Sequence, residues 1–197
     1  RTLILIVVAV ITVLLALQWK HMRFTYTEAN LLPDDHEINV EYKQFLDQFG
    51  EEGNLIVLGV KDSTLFSPKH FTAWNQLSKD LNEAPEVDFT LAIGDLQKLE
   101  KRTDAEGFKM VPFIQDSIFT QEKLDQYQYE LFSKLPFYNG LVYSPNKQSV
   151  RTAIYLNKDI VNSFARKEFI DKNLIPRVKK FEEDTGIKVH TSGMPYI

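Results

Sequence analysis

Cysteine is absent from the 197 residues of this chain, which rules out disulfides, thiolate catalysis and the cysteine-based zinc sites. That absence leaves the compartment open, though it suits an extracytoplasmic domain, which then has no stray thiols to manage. A concentration of positive charge is missing too. The net charge is −4, with acids and bases interspersed, so nothing resembles the basic surface that nucleic acid requires, and nucleic-acid binding is set aside. The third absence is local: from Thr2 to Trp19, TLILIVVAVITVLLALQW, there is no charged residue.

What fills that stretch is a continuous apolar run without the gaps that would give a helix a wet face. As an α-helix it extends roughly 27 Å, close to the roughly 30 Å hydrocarbon core of a bilayer. Its Val, Ile and Thr count against helix in water, but lipid tolerates only internally satisfied backbone, so helix wins. Residues 1–20 therefore read as a transmembrane helix, with Trp19, Lys20, His21 and Arg23 marking where the chain leaves the hydrocarbon. A secretory signal peptide has a shorter core and a small-residue cleavage site, and Ala16-Leu17-Gln18-Trp19 offers neither. The opening Arg1, in place of Met, implies that sequence precedes it. Arg1 and the Lys20, His21, Arg23 group argue for opposite orientations, so charge alone does not orient the span.

Residues 21–53 form a linker and a short helix. Pro33 disfavours helix in the residue before it. Asp34 and Glu37 have the spacing of a capping box, and Ile38, Tyr42, Phe45 and Phe49 share one face of a helix that stops at Gly50. Residues 54–192 read as an α/β domain. Asn54 to Lys61 is a short apolar run bounded by Gly53 and Asp62-Ser63, the pattern of a buried strand. Ser67-Pro68 opens a helix whose inner face is Phe71, Trp74, Leu77 and Leu81, and Val87 to Ile93 is a second strand. From about 94 to 148 the pattern loosens into an insertion. Leu96 to Glu106 is charged with mixed signs and reads as a solvated segment. Met110 to Ile114 is an apolar patch, and Leu124, Tyr127, Leu131 and Leu135 have helical spacing.

Leu141 to Tyr143 and Val150 to Leu156 read as strands joined by the turn Ser144-Pro145-Asn146-Lys147. The aromatics Tyr127, Tyr129, Phe132, Phe137, Tyr138 and Tyr143 are expected to pack the insertion onto its neighbours, the alternative being an apolar binding surface. Ser149 to Leu156 is the third principal strand. Asp159 to Glu183 is a long helical segment with Val161, Phe164, Leu174, Val178 and Phe181 inward, and Pro176 within it, which removes a backbone donor, predicts a kink or a break near Leu174. Gly186 stops it, and Ile187 to Thr191 is the last strand.

Candidate chemical groups are few. Asp34-Asp35-His36-Glu37 could be drawn as a metal site, but adjacent acids at a helix start are what the helix dipole already favours. His21, His36, His70 and His190 show neither ligand spacing nor a neighbouring nucleophile pattern. No catalytic, cofactor-binding or metal residue is assigned, no cofactor is implied, and an enzyme is the least favoured class.

With the insertion set aside, the order strand, helix, strand, strand, helix, strand is the ferredoxin-like, split βαβ arrangement of an α+β fold. In it the first strand runs antiparallel beside the last, so the chain enters and leaves at one edge, and an insertion between the second and third strands projects from the opposite one. A span, then Leu32-Pro33-Asp34-Asp35, a short helix to Phe49-Gly50, the strand LIVLGV, and finally Ser192-Gly193-Met194-Pro195 together resemble the start of exporters of the resistance-nodulation-division (RND) superfamily, most closely their MMPL-like branch. The resemblance implies the first membrane helix and first porter domain of a longer, proton-driven exporter of hydrophobic or lipid-like substrates. It places the soluble domain in the periplasm, on the inner membrane. Residues 193–197 are then the run-in to a second membrane helix. The implied partners are the bilayer, the remaining helices, a second porter domain and a homo-oligomer. It carries no catalytic residue onto this chain, since the family's proton-relay acids belong to later helices. The alternative is a single-pass anchored domain that binds a ligand or partner.

Overall fold

A computed structural model describes residues 1–18, 32–33, 35–49, 53–102, 106–116 and 118–196. The expected headgroup residues Trp19, Lys20, His21 and Arg23, the Asp34 cap, the stop at Gly50 and Ile197 lie outside these.

Helix α1 (Thr2–Leu17) is apolar all round and exposed at every position. The hydroxyl in its middle, Thr12 Oγ1, is satisfied inside the helix by donating to Val8 O at 2.9 Å. Among the described residues no helix is long and apolar enough to cross a membrane. At 16 residues, α1 reaches about 24 Å, short of the span expected over residues 1–20, because the α-helix gives way at the polar Gln18. Helix α2 (Glu37–Phe49) begins two residues later than a cap at Asp34 would start it. Among its described side chains the buried one is polar: Asn39 Nδ2 donates to Leu32 O (2.9 Å) and Pro33 O (2.7 Å), while Ile38 and Tyr42 are exposed.

The centre of the fold is β1 (Leu55–Val60). It is followed by a 3-10 turn (Ser63–Phe66), α3 (Pro68–Asn82), β2 (Val87–Leu91), the hairpin β3 (Gln97–Lys101) and β4 (Phe108–Pro112), and α4 (Gln121–Lys134). After α4 come β5 (Val150–Leu156), α5 (Lys158–Val161), α6 (Phe164–Phe169), a π-helical stretch (Ile170–Leu174), α7 (Ile175–Thr185) and β6 (Val189–Ser192). Four strands form one sheet in the order β2-β5-β1-β6, antiparallel at every step, and β3 pairs only with β4. The fold is α+β.

Alternation decides which face is filled. Ile56, Leu58 and Val60 of β1, with Val150, Thr152, Ile154 and Leu156 of β5, are buried. Against them lie Phe71, Trp74, Leu77 and Leu81 of α3, the four expected. Trp74 meets Phe181 of α7 edge to face at 5.4 Å, and the Ser78 and Thr152 hydroxyls share a buried hydrogen bond of 3.1 Å. The opposite face is only partly covered. A register shift between Val87 and Phe89 turns Phe89 onto it, stacked on Tyr155 with centroids 4.3 Å apart.

Four expectations are corrected. The charged segment 96–106 is not simply solvated: Gln97–Lys101 forms β3. There Lys98, in salt bridges with Glu100 and with Glu130 of α4 (3.5 Å each), replaces an apolar inner face. Leu141 to Tyr143 is no strand, because the tight turn leaves only Tyr143 bridged to Val150. The long C-terminal helix breaks earlier than expected, at Asn162-Ser163, which leaves Phe164 58% exposed and buries Phe169 in its place. Near Leu174 the helix is not broken but widens: Ile175 N reaches back five residues to Ile170 O, just before Pro176, which has no N–H to offer. Of the insertion aromatics, Tyr143 is buried and Phe132 packs between Phe66 and Tyr143, but Tyr129 and Phe137 are exposed.

The sheet register puts the start of β1 beside the end of β6: Val57 faces Ser192 and Leu58 faces Thr191. A Cβ on Gly193 would lie 2.2 Å from Leu55 O and 3.0 Å from Ile56 Cα, at φ +138°. Gly186, the left-handed cap of α7 at φ +74°, has open space around it. Gly193→Ala should therefore cost about 2–4 kcal/mol, whereas Gly186→Ala should cost only about 1 kcal/mol. Urea unfolding in mild detergent, followed by circular dichroism, checks both.

Candidate functional site

Two places could do work, one at each end of the sheet. At the first, the chain enters β1 and leaves β6 side by side. Gly193 lies so close to Leu55 and Ile56 that no side chain fits between them, and a 3-10 turn (Met194–Tyr196) continues from it with Pro195 buried. Displacement of either chain end is thus delivered directly to the central strand. At the second end, where Val60 of β1 faces Val150 of β5, a cleft of about 410 Å³ opens. Val60, Phe66, Phe132 and Val150 supply its apolar lining, and Lys61, Asp62, Ser63, Gln128, Lys147 and Gln148 supply its polar lining.

Local chemistry builds the second end. Asp62 Oδ1 accepts from the backbone N and the hydroxyl of Thr64, 2.7 Å each, and so caps the 3-10 turn. These bonds, with the His70 ring adding a smaller part, hold the Asp62 carboxyl below its ordinary range. His70 Nδ1 sits 3.0 Å from Thr64 O and 3.2 Å from Thr64 Oγ1, a structural position on the turn. Across the cleft, Ser144 Oγ accepts from the backbone of Gln148 and Ser149 (3.2 and 3.0 Å) and shapes the turn before β5.

The other histidines stand apart. His36 Nδ1 accepts from Ile38 N at 3.3 Å in the exposed start of α2; His190 is exposed on β6 opposite Gly59; His21 lies outside the described residues. Among the described residues no three His, Asp or Glu side chains group closely enough to hold a metal ion. The cleft could not have been named from spacing alone. Lys61 and Phe132 are far apart in the chain, and only the packing of α4 against the 3-10 turn, with Gln121 Nε2 donating to Phe66 O at 3.1 Å, brings them to one cleft.

The insertion is tied down electrostatically. Asp116 pairs with Lys123 and accepts from the Tyr127 hydroxyl at 2.8 Å. The Lys123 ammonium first and the Tyr127 hydroxyl second hold the Asp116 carboxyl below its ordinary range. Because the folded carboxyl is the stronger acid, its contribution to stability is complete above the unfolded value of about 4 and fades as pH falls through the folded value. Asp116→Asn should therefore flatten the acid limb. Melting temperatures measured from pH 7 to pH 3 are expected to fall more steeply below about pH 4 in the parent chain than in the variant.

Neither a scan of the chain against protein-family models nor a search of curated proteins finds a match.

Proposed function

We propose that this chain supplies a bilayer-embedded apolar helix and the first extracytoplasmic porter domain of an exporter resembling the RND superfamily, in its MMPL-like branch. The observation that carries the reading is the junction of Leu55 with Gly193, which holds the two ends of the domain together as a domain inserted between membrane segments requires. The order β2-β5-β1-β6 is that of a ferredoxin-like, split βαβ unit. In that unit β3, β4 and α4 form an insertion between the second and third strands, at the end of the sheet away from the junction.

Helix α1 fits the same reading. It has no polar face to offer water, and a shortfall of about 6 Å against the hydrocarbon core is met by local thinning at fractions of a kcal/mol per Å. With no ionisable group in α1, proton coupling belongs to other parts of the exporter. This chain's part is to convert movement at the junction into movement of the sheet and to pass a hydrophobic or lipid-like substrate along. The domain is then periplasmic, on the inner membrane, among the remaining helices and a second porter domain. The cleft favours a second reading, an anchored domain that binds a small ligand or partner without transport.

The two readings separate in cells. Glu122→Cys, on exposed α4 of a cysteine-free chain, should react with a membrane-impermeant maleimide from the periplasmic side, and the protein should resist carbonate extraction. Reaction only after permeabilisation, or release by carbonate, overturns both readings. Nile red efflux that a protonophore abolishes, and that Gly193→Ala slows at equal membrane abundance, supports the exporter. Labelling without efflux leaves the binding domain.

A further inference from the structure

We propose that the cleft between the 3-10 turn, α4 and the turn before β5 binds a small anion with a flat apolar body, of which an aromatic carboxylate is the simplest form. A volume near 410 Å³ lies within the range of small-molecule sites, which run from about 300 to 1,000 Å³. Its floor is aromatic: Phe66 is buried, and Phe132 stands edge-on to it with centroids 5.9 Å apart. Lys61 and Lys147, each bearing an ammonium group, are among its lining residues, beside Gln128 and Gln148. Neither lysine is in an ion pair among the described residues. The lining also holds one carboxylate, Asp62, which stays ionised while Oδ1 accepts from Thr64, so two lysines against one aspartate leave the lining with a net charge of +1. The cleft thus offers positive charge and hydrogen-bond donors above an apolar floor, which is the chemistry that selects an amphipathic anion.

A second observation separates this cleft from an ordinary surface dip. Lys147 is the non-glycine residue with positive φ among those described, at +58°. Glycine or asparagine adopts that conformation more readily, yet Asn146 stands one position earlier and a lysine occupies the strained place. The turn holds it there, with Lys147 N donating to Ser144 O at 2.7 Å. Backbone strain that places a cation on a cleft is the kind kept where a ligand repays it. The site lies at the end of the sheet away from the junction, so it stands or falls independently of the exporter reading.

The test titrates the whole protein, in detergent, with benzoate and with the neutral isostere benzamide, following backbone amide shifts. Benzoate is expected to shift residues 60–66, 128–132 and 147–150, and benzamide to bind at least about tenfold more weakly, the factor that one lost charge-assisted hydrogen bond removes. The double variant Lys61→Gln/Lys147→Gln should weaken benzoate by a similar factor. Lys147→Gly separates binding from folding: the left-handed turn suits glycine, so the melting temperature should hold or rise while benzoate affinity falls. Equal binding of benzamide, unchanged affinity in Lys147→Gly, or shifts confined to other regions would each overturn the proposal.

Discussion

Everything in the domain hangs on the double pairing of β1. It is the strand with a neighbour on each side whose partners both come from the second half of the sequence, β5 along one edge and β6 along the other. Because β1 is central, its Ile56, Leu58 and Val60 can be fully covered, and α3 and α7 have a floor on which to meet through Trp74 and Phe181. The same pairing aligns the two ends of the domain and opens the cleft at the far end. The junction and the cleft are therefore two ends of one strand.

What could be read from the sequence is what local chemistry decides. The α3 face has an unbroken helical period, and a Ser-Pro start made its beginning legible; Gly186 does cap α7 as expected, in the left-handed conformation. The element order implied that the chain would enter and leave at one edge, and the register of β1 with β6 places it so. The misses share a cause. Strand β3 shows a charged pattern because its inner side meets Glu130 rather than a core, so hydrophobic alternation had nothing to report. Phe164 and Phe169 both suit an inward position, and the break at Asn162-Ser163 chose between them through caps too weak to stand out beside Pro176. The turn at Ser144-Pro145-Asn146-Lys147 was legible, but not which of its residues would take the left-handed conformation. The cleft, assembled from three separate segments, had no signature at all.

The exposed apolar surface is unevenly distributed. It includes α1, Ile38, Tyr42 and Phe45 of α2, Tyr129 and Phe137 of the insertion, the outward side of the β3–β4 hairpin, where Leu99 and Met110 face each other beside Phe108, and Phe89, stacked on Tyr155. The hairpin is built inside out, with its ion pairs toward α4 and its apolar side toward solvent. Patches of this kind mark surfaces that meet something else.

The placement of β1 also sets a timetable. A strand that leaves the ribosome among the first elements of the domain must wait for β5 before it gains a neighbour, and for β6, at residues 189–192, before it gains the other. Helices α3 and α4 can form early from their own periodicity, but the sheet they rest on closes only when nearly the whole domain has been made. Pairings so distant in sequence fold slowly and leave strand edges open meanwhile. If α1 reaches the bilayer first, it holds that unfinished chain at a surface, away from other nascent chains, until its last strand arrives.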